Sequence, residues 1–98
     1  MNYIFEIIDK SRRKIRLTKK QWSQILRKHP YMANLIEEIK ETLIKPLIIK
    51  DYSLEEDIRY YYSYLKNRKL PYKYLLVIVK YLNGEGFIVS SYLEKGIN

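Results

Sequence analysis

Not one cysteine occurs in this 98-residue chain, and histidine occurs once. The first absence excludes a disulfide framework, a thiolate zinc site and a thiol nucleophile. The second leaves too few imidazoles for a histidine-rich metal site, so no metal and no cofactor are expected. No apolar run approaches the roughly 18 residues that cross a bilayer, and no basic-then-apolar leader opens the chain. A cytoplasmic protein with no membrane partner is the expectation. The three glycines form no phosphate-binding loop, and the basic ends hold no carboxylate pair and no Ser-His-Asp order. Most hydrolase chemistries are thereby removed.

What the chain does have is positive charge and tyrosine. Nineteen Lys and Arg against 11 Asp and Glu give +8, and 11 residues are tyrosine. The charge is segregated: residues 1–30 carry +7, residues 31–57 carry −4 and residues 58–98 carry +5. A basic face backed by an acidic helix face suits a polyanion such as RNA. A Lys-rich surface inherited from an AT-biased or thermophilic genome has the same totals. No helix joins a basic polar face to a large exposed apolar one, which disfavours a membrane surface.

The length fits a single domain over residues 1–98, since one core commonly serves about 100–150 residues. N-Y-I-F-E-I-I-D and I-R-L read as two short strands joined by the basic turn K-S-R-R-K. Thr18 and Gln21 have the spacing of a capping box, with Leu17 and Trp22 placed as a hydrophobic staple, so a helix starts after Thr18. Pro30 ends it and opens a second helix, whose buried face is Met32, Leu35, Ile36, Ile39 and Leu43. Pro46 closes that helix, and the apolar period then drops from 3.6 to 2.

L-I-I-K-D-Y, I-R-Y-Y-Y-S-Y-L-K, K-Y-L-L-V-I-V-K-Y and G-F-I-V-S-S-Y-L read as four strands, with S-L-E-E-D as an acidic loop. Asn83-Gly84 marks a hairpin between the last two. Residues 93–98 read as a flexible tail. The expected fold is α+β, ordered ββααββββ: two helices packed on a four-stranded antiparallel sheet, preceded by a short N-terminal hairpin.

Five residues stand out chemically. His29 falls seven residues after Trp22, on the helix stripe that packs inward, as a core or capping residue or as a proton-transfer group near neutrality. A two-residue turn at 83–84 pairs position 80 with 87, 79 with 88, 78 with 89 and 77 with 90. Lys80 then shares a face with Phe87, Val89 and Ser91, and Ser90 and Tyr92 lie on the other. A one-residue bulge would exchange these sets on one strand. Arg59, among tyrosines, suits ring stacking, a carboxylate or a phosphate. Tyrosines at alternate positions either stack bases or complete a core.

This inventory suffices for one reaction. RNA supplies its own nucleophile, the 2′-OH, so cleavage to a 2′,3′-cyclic phosphate requires only a base, a proton donor and cations for the phosphorane.

The motifs W-x-x-I-x-x-x-H-P-x-M from Trp22 to Met32, I-x-x-T-L-x-x-P ending at Pro46, R-Y-Y from Arg59, V-I-V-K ending at Lys80 and F-I-V-S-S-Y ending at Tyr92 are similar to the phage-associated branch of the barnase–EndoU–colicin–RelE-like nuclease superfamily. The resemblance runs from about Ile15 to Tyr92. It implies a small metal-independent RNase or toxin with two helices before a four-stranded antiparallel sheet. It also implies a site of His29, Arg59, Lys80, Ser90 and Tyr92, with Ser90 where the family more often has threonine. Many relatives belong to mobile elements or larger polymorphic toxins, which implies a chain that acts either alone or with a separate inhibitor protein, an antitoxin or immunity protein.

The expected function is therefore RNA cleavage by 2′-OH transesterification. Arg12, Arg13, Lys14, Arg16, Lys19, Lys20 and Tyr61 are the expected RNA contacts. The alternatives are a non-catalytic nucleic-acid-binding module and a small structural or inhibitor protein of a mobile element. If phosphate contacts by residues 10–28 and 59–80 dominate, RNA affinity falls steeply between low and physiological salt. A filter-binding titration that stays flat over that range removes the polyanion reading.

Overall fold

A computed structural model describes residues 3–51, 57–68 and 71–97. The chain forms β1 (Tyr3–Ile8), β2 (Lys14–Thr18), α1 (Lys19–Lys28), a 3-10 turn (Pro30–Asn34), α2 (Ile36–Ile44), β3 (Ile48–Asp51), β4 (Ile58–Tyr64), β5 (Tyr74–Leu82) and β6 (Glu85–Glu94). Most of the acidic S-L-E-E-D loop falls outside the described residues. So do Lys69 and Leu70 of the β4–β5 connection.

The α+β class and the element types agree with the sequence reading, but the sheet is larger. It has six strands in the order β1-β2-β6-β5-β4-β3 and is mixed. The N-terminal hairpin is part of the sheet, not a preface to it. β2 joins β6 in parallel through Ile15 opposite Gly86 and Arg16 opposite Phe87. Glycine is required at position 86. A Cβ there would stand 2.9 Å from both Ile15 Cγ1 and Val79 Cγ1, closer than real carbons approach.

The second helix also starts later than the proline signal implied. Pro30 opens a 3-10 turn, with the Met32 N–H bonded to the His29 carbonyl, and the α-helical run begins only at Ile36. A tail from residue 93 is likewise corrected: Leu93 lies in β6 and is buried.

Both helices cover one face of the sheet. Trp22 and Ile25 of α1, Met32 and Leu35 of the turn, and Ile39 and Leu43 of α2 pack on Phe5, Ile15, Leu17, Tyr61, Leu75, Val77, Val79, Tyr81, Ile88 and Leu93. The other face carries the alternate positions of β4 and β5, namely Ile58, Tyr60, Tyr62, Tyr64, Tyr74, Leu76, Ile78 and Lys80. No helix among the described residues is long and apolar enough to cross a membrane.

α1 starts where its sequence signal places it, with the Thr18 half of the capping box formed and the Gln21 side chain turned to Val89 instead. Thr18 is the N-cap, and its hydroxyl accepts from the Gln21 N–H at 3.1 Å. Thr18→Ala should cost about 1 kcal/mol, and Trp22→Ala about 3–5 kcal/mol by emptying a core position. Urea denaturation of the two variants measures both, and equal, negligible losses would refute this placement of the helix.

Candidate functional site

The site depends on one irregularity in β6. From the turn, Lys80 pairs with Phe87 and Val79 with Ile88, as the hairpin signal implies. The register then shifts, so Ile78 pairs with Ser90, Val77 with Ser91 and Leu76 with Tyr92. The extra residue is Val89. A bulge of this kind re-aims every side chain beyond it. Ser90 and Tyr92 thus lie on the face of Lys80, which reverses the facing expected without a bulge. Ser91 turns inward, fully buried, and its hydroxyl donates to the Leu76 carbonyl at 2.8 Å.

Three successive cross-strand rows result on this tyrosine-rich face: Leu76 with Tyr92, Ile78 with Ser90, and Lys80 with Phe87. Rows two residues apart on one strand are separated by about 6.6 Å. Ser90 therefore lies in the middle row, between Tyr92 and Lys80. Tyr60 extends the Ser90 row and Tyr62 extends the Tyr92 row. Tyr62 and Leu76 are buried, whereas Tyr60, Ile78, Lys80, Phe87, Ser90 and Tyr92 around them are half-exposed.

His29 reaches this face at the outer edge of β6. β2 pairs with β6 only near the hairpin end, and α1 and the 3-10 turn take over the edge beyond it. The Gln21 side-chain amide donates to the Val89 carbonyl at 2.6 Å, and the Tyr31 hydroxyl accepts from the Leu93 N–H at 3.2 Å. Between these two ties His29 is the C-cap of α1, half-exposed, with its ring stacked on Tyr92 at 5.1 Å. The Tyr31 hydroxyl lies 3.4 Å from Nδ1, leaving Nε2 as the other proton-transfer atom. Burial, followed by the neighbouring Glu94, Tyr60 and Tyr31, raises the Tyr92 pKa, so its phenol stays a donor at neutral pH.

Arg59 does not join them. It pairs with Val79 and faces the helix side, where its guanidinium lies 5.2 Å from the Tyr81 ring centroid and 3.8 Å from Asp51. Alternation along β4 places Arg59 opposite to Tyr60 and hence to Lys80. The expected set therefore divides, with His29, Lys80, Ser90 and Tyr92 on one face and Arg59 on the other.

The proposed RNA contacts divide as well. Arg12, Lys14, Lys19 and Lys20 are exposed. Arg16 is spent locally, hydrogen-bonded to Glu6 at 2.5 Å, ion-paired with Glu85 at 2.8 Å and lying over the Tyr3 and Phe87 rings. Arg13 is half-buried, 4.7 Å from the Tyr81 ring centroid. Tyr61 is fully buried, so its ring is closed to a base.

The Tyr61 hydroxyl belongs to a polar cluster that sequence reasoning missed. Asp9, buried in the β1–β2 turn, accepts from the Ser11 and Arg13 N–H groups at 3.0 and 2.9 Å. It also accepts from Tyr61 at 2.5 Å and Tyr81 at 3.2 Å, and the two phenols bond each other. The spacing D-x-S-x-R is a recognisable Asx-turn signal, but nothing local announces the tyrosines. Likewise Gln21 was legible as a capping residue, not as the group that holds Val89. Among the described residues no cluster of three or more His, Asp or Glu is arranged to hold a metal. In comparisons with known proteins the chain matches no family model, no curated protein and no solved structure.

Burial opposes ionisation of Asp9, but hydrogen bonds from Tyr61, Arg13, Ser11 and Tyr81 outweigh it and hold the pKa below the ordinary aspartate value. A carboxyl lowered on folding contributes stability above its unfolded pKa. That contribution disappears as pH falls through the folded value. Asp9→Asn should therefore be less stable than the native chain at neutrality, with the gap narrowing below about pH 3.9. A gap that persists unchanged in acid, followed by denaturant midpoints against pH, would exclude an ionised Asp9.

Proposed function

We propose that the tyrosine-rich face binds single-stranded RNA and cleaves it without a metal, by attack of the 2′-OH on the adjacent phosphate. The observation that carries this reading is the row order His29–Tyr92, Ser90, Lys80, created by the Val89 bulge. A phosphate over Ser90 has an imidazole on one side and an ammonium on the other, the opposed arrangement that in-line displacement needs. The resemblance to the barnase–EndoU–colicin–RelE-like nucleases supports the same chemistry on four of its five positions, with Arg59 excepted.

In this scheme His29 Nε2 accepts the 2′-OH proton as the 2′-oxygen bonds to phosphorus. Lys80 neutralises the dianionic phosphorane and donates a proton to the 5′-oxygen as the P–O5′ bond breaks. Ser90 and Tyr92 hydroxyls donate to the non-bridging oxygens. The products are a 2′,3′-cyclic phosphate and a 5′-hydroxyl. Lys19 and Lys20 also support a polyanionic partner. They occupy the first turn of α1, where the helix dipole disfavours cations. A local cost of that kind is expected where a surface serves binding.

His29→Ala should lower cleavage by roughly 10²–10⁴-fold. Lys80→Ala should lower the rate at saturating RNA, and Arg59→Ala should lower it far less because its charge lies behind the sheet. RNA with a 2′-deoxy sugar at the cleavage position should survive. Undiminished cleavage by the His29 variant removes the mechanism. Tight binding of RNA that stays intact moves the reading to a binding module, for which half-exposed Tyr60, Tyr74 and Tyr92 are suited as stacking surfaces.

A further inference from the structure

Behind the sheet, at the end where β4 begins and β5 ends, lies a cavity of about 150 Å³ lined by Arg13, Asp57, Arg59 and Tyr81. It is separate from the tyrosine face. Two guanidiniums lie over the one Tyr81 ring, at 4.7 and 5.2 Å from its centroid. Their placement is enforced. The Asp9 carboxylate ties down the Arg13 N–H, and strand pairing with Asp51 and Val79 fixes Arg59. Asp57 is pinned by the Tyr81 N–H, which donates to its carbonyl at 3.0 Å.

One residue lining the cavity, Asp57, holds a left-handed backbone angle, with φ of 54°. Strain of this kind persists only where surrounding contacts impose it, and it concentrates at binding sites.

The charges are not satisfied by one another. Among the described residues neither guanidinium forms an ion pair with Asp57 and Arg13 has no carboxylate partner, while Arg59 bonds the Tyr61 hydroxyl and has the long contact to Asp51 as its ion pair. Asp9 cannot serve them, because its oxygens are taken by the turn and the two phenols. Two cations and Asp57 thus line a common small space, and no ion pair among the described residues joins them across it.

Two guanidiniums lining one small cavity suit an oxyanion, but a fully deprotonated one would meet the negative charge of Asp57. An anion that carries a proton resolves the conflict, since its O–H donates to Asp57 while its other oxygens accept from the arginines. We propose that this cavity is a binding site for a phosphate that retains a proton: orthophosphate, or the monoanion of a terminal phosphomonoester, whose second ionisation lies near about pH 6. Sulfate and phosphodiesters have the same shape at the anion but no proton to give, and the site rejects them.

The test titrates the intact chain at pH 6 with inorganic phosphate and, separately, sulfate at matched ionic strength, following amide and arginine side-chain NMR signals. Phosphate should bind saturably, shifting Arg13, Arg59 and Tyr81 signals, and sulfate should bind at least 10-fold more weakly. Arg13→Gln should weaken phosphate at least 10-fold. Asp57→Asn should remove the discrimination and bring sulfate to parity, a gain that only a folded site can show. A dinucleotide with a 5′-phosphate that binds more tightly than inorganic phosphate identifies a nucleotide end as the source. Equal or weaker binding identifies free phosphate. Indistinguishable phosphate and sulfate, an unaffected Arg13→Gln variant, or no saturable shift overturns the proposal. RNA cleavage by the same samples is scored independently, so either reading can fail alone.

Discussion

The bond from the Gln21 side-chain amide to the Val89 carbonyl is the constraint on which the arrangement of this protein turns. β6 is a long strand with a partner along all of one edge and along only two positions of the other. Unpaired backbone groups on an edge must find partners or water. Here side chains replace a strand, Gln21 at the bulge and Tyr31 at Leu93. Both belong to the segment running from α1 through the 3-10 turn. Closing the edge therefore docks that segment, and His29 between the two ties is delivered to Tyr92 as a consequence.

A second polar knot holds the opposite end. A buried carboxylate is tolerable only when fully bonded, and Asp9 meets that condition with backbone from its own turn and hydroxyls from β4 and β5. The residues it unites are 52 and 72 positions apart in sequence from Asp9. The hairpin of β1 and β2 is thus anchored twice, by parallel pairing to β6 and by this knot. Burial together with the bonds to Asp9 and Tyr81 pushes the Tyr61 pKa far above that of a free phenol. Tyr61 is consequently a fixed donor, and Arg13 and Arg59 inherit fixed positions around it.

Local signals were legible and long-range ones were not. Thr18 and Gln21 announce the start of α1, the stripe Leu35, Ile39, Leu43 announces the inner face of α2, and Asn83-Gly84 announces the hairpin. All depend on residues within a few positions of one another. The parallel contact of β2 with β6 spans about 70 residues and involves two pairs, with no periodicity to reveal it. Gly86 is its one trace, and a glycine beside a turn reads as part of the turn. The bulge was foreseeable as a possibility but not as a fact, because V-S-S-Y alternates equally well in either register. Arg59 lies apart from His29 for a related reason: alternation places it opposite Tyr60, but which of those faces also receives His29 depends on where α1 docks.

The two adjacent serines show how much hangs on that one extra residue. Ser90 and Ser91 have identical side chains, yet one is half-exposed among tyrosines and the other is buried, bonded to the Leu76 carbonyl. Before the bulge, Ile88 lies in the helix-side core with Val79. After it, Ser91 takes the helix-side position opposite Val77. Without Val89 in excess, Ser90 and Tyr92 would enter the core and place a phenol where the helices pack, while Lys80 would share its face with Val89 and Ser91 and Tyr92 would no longer be there to meet His29. Core composition and site composition are thus solved by the same register, and the Gln21 amide selects it.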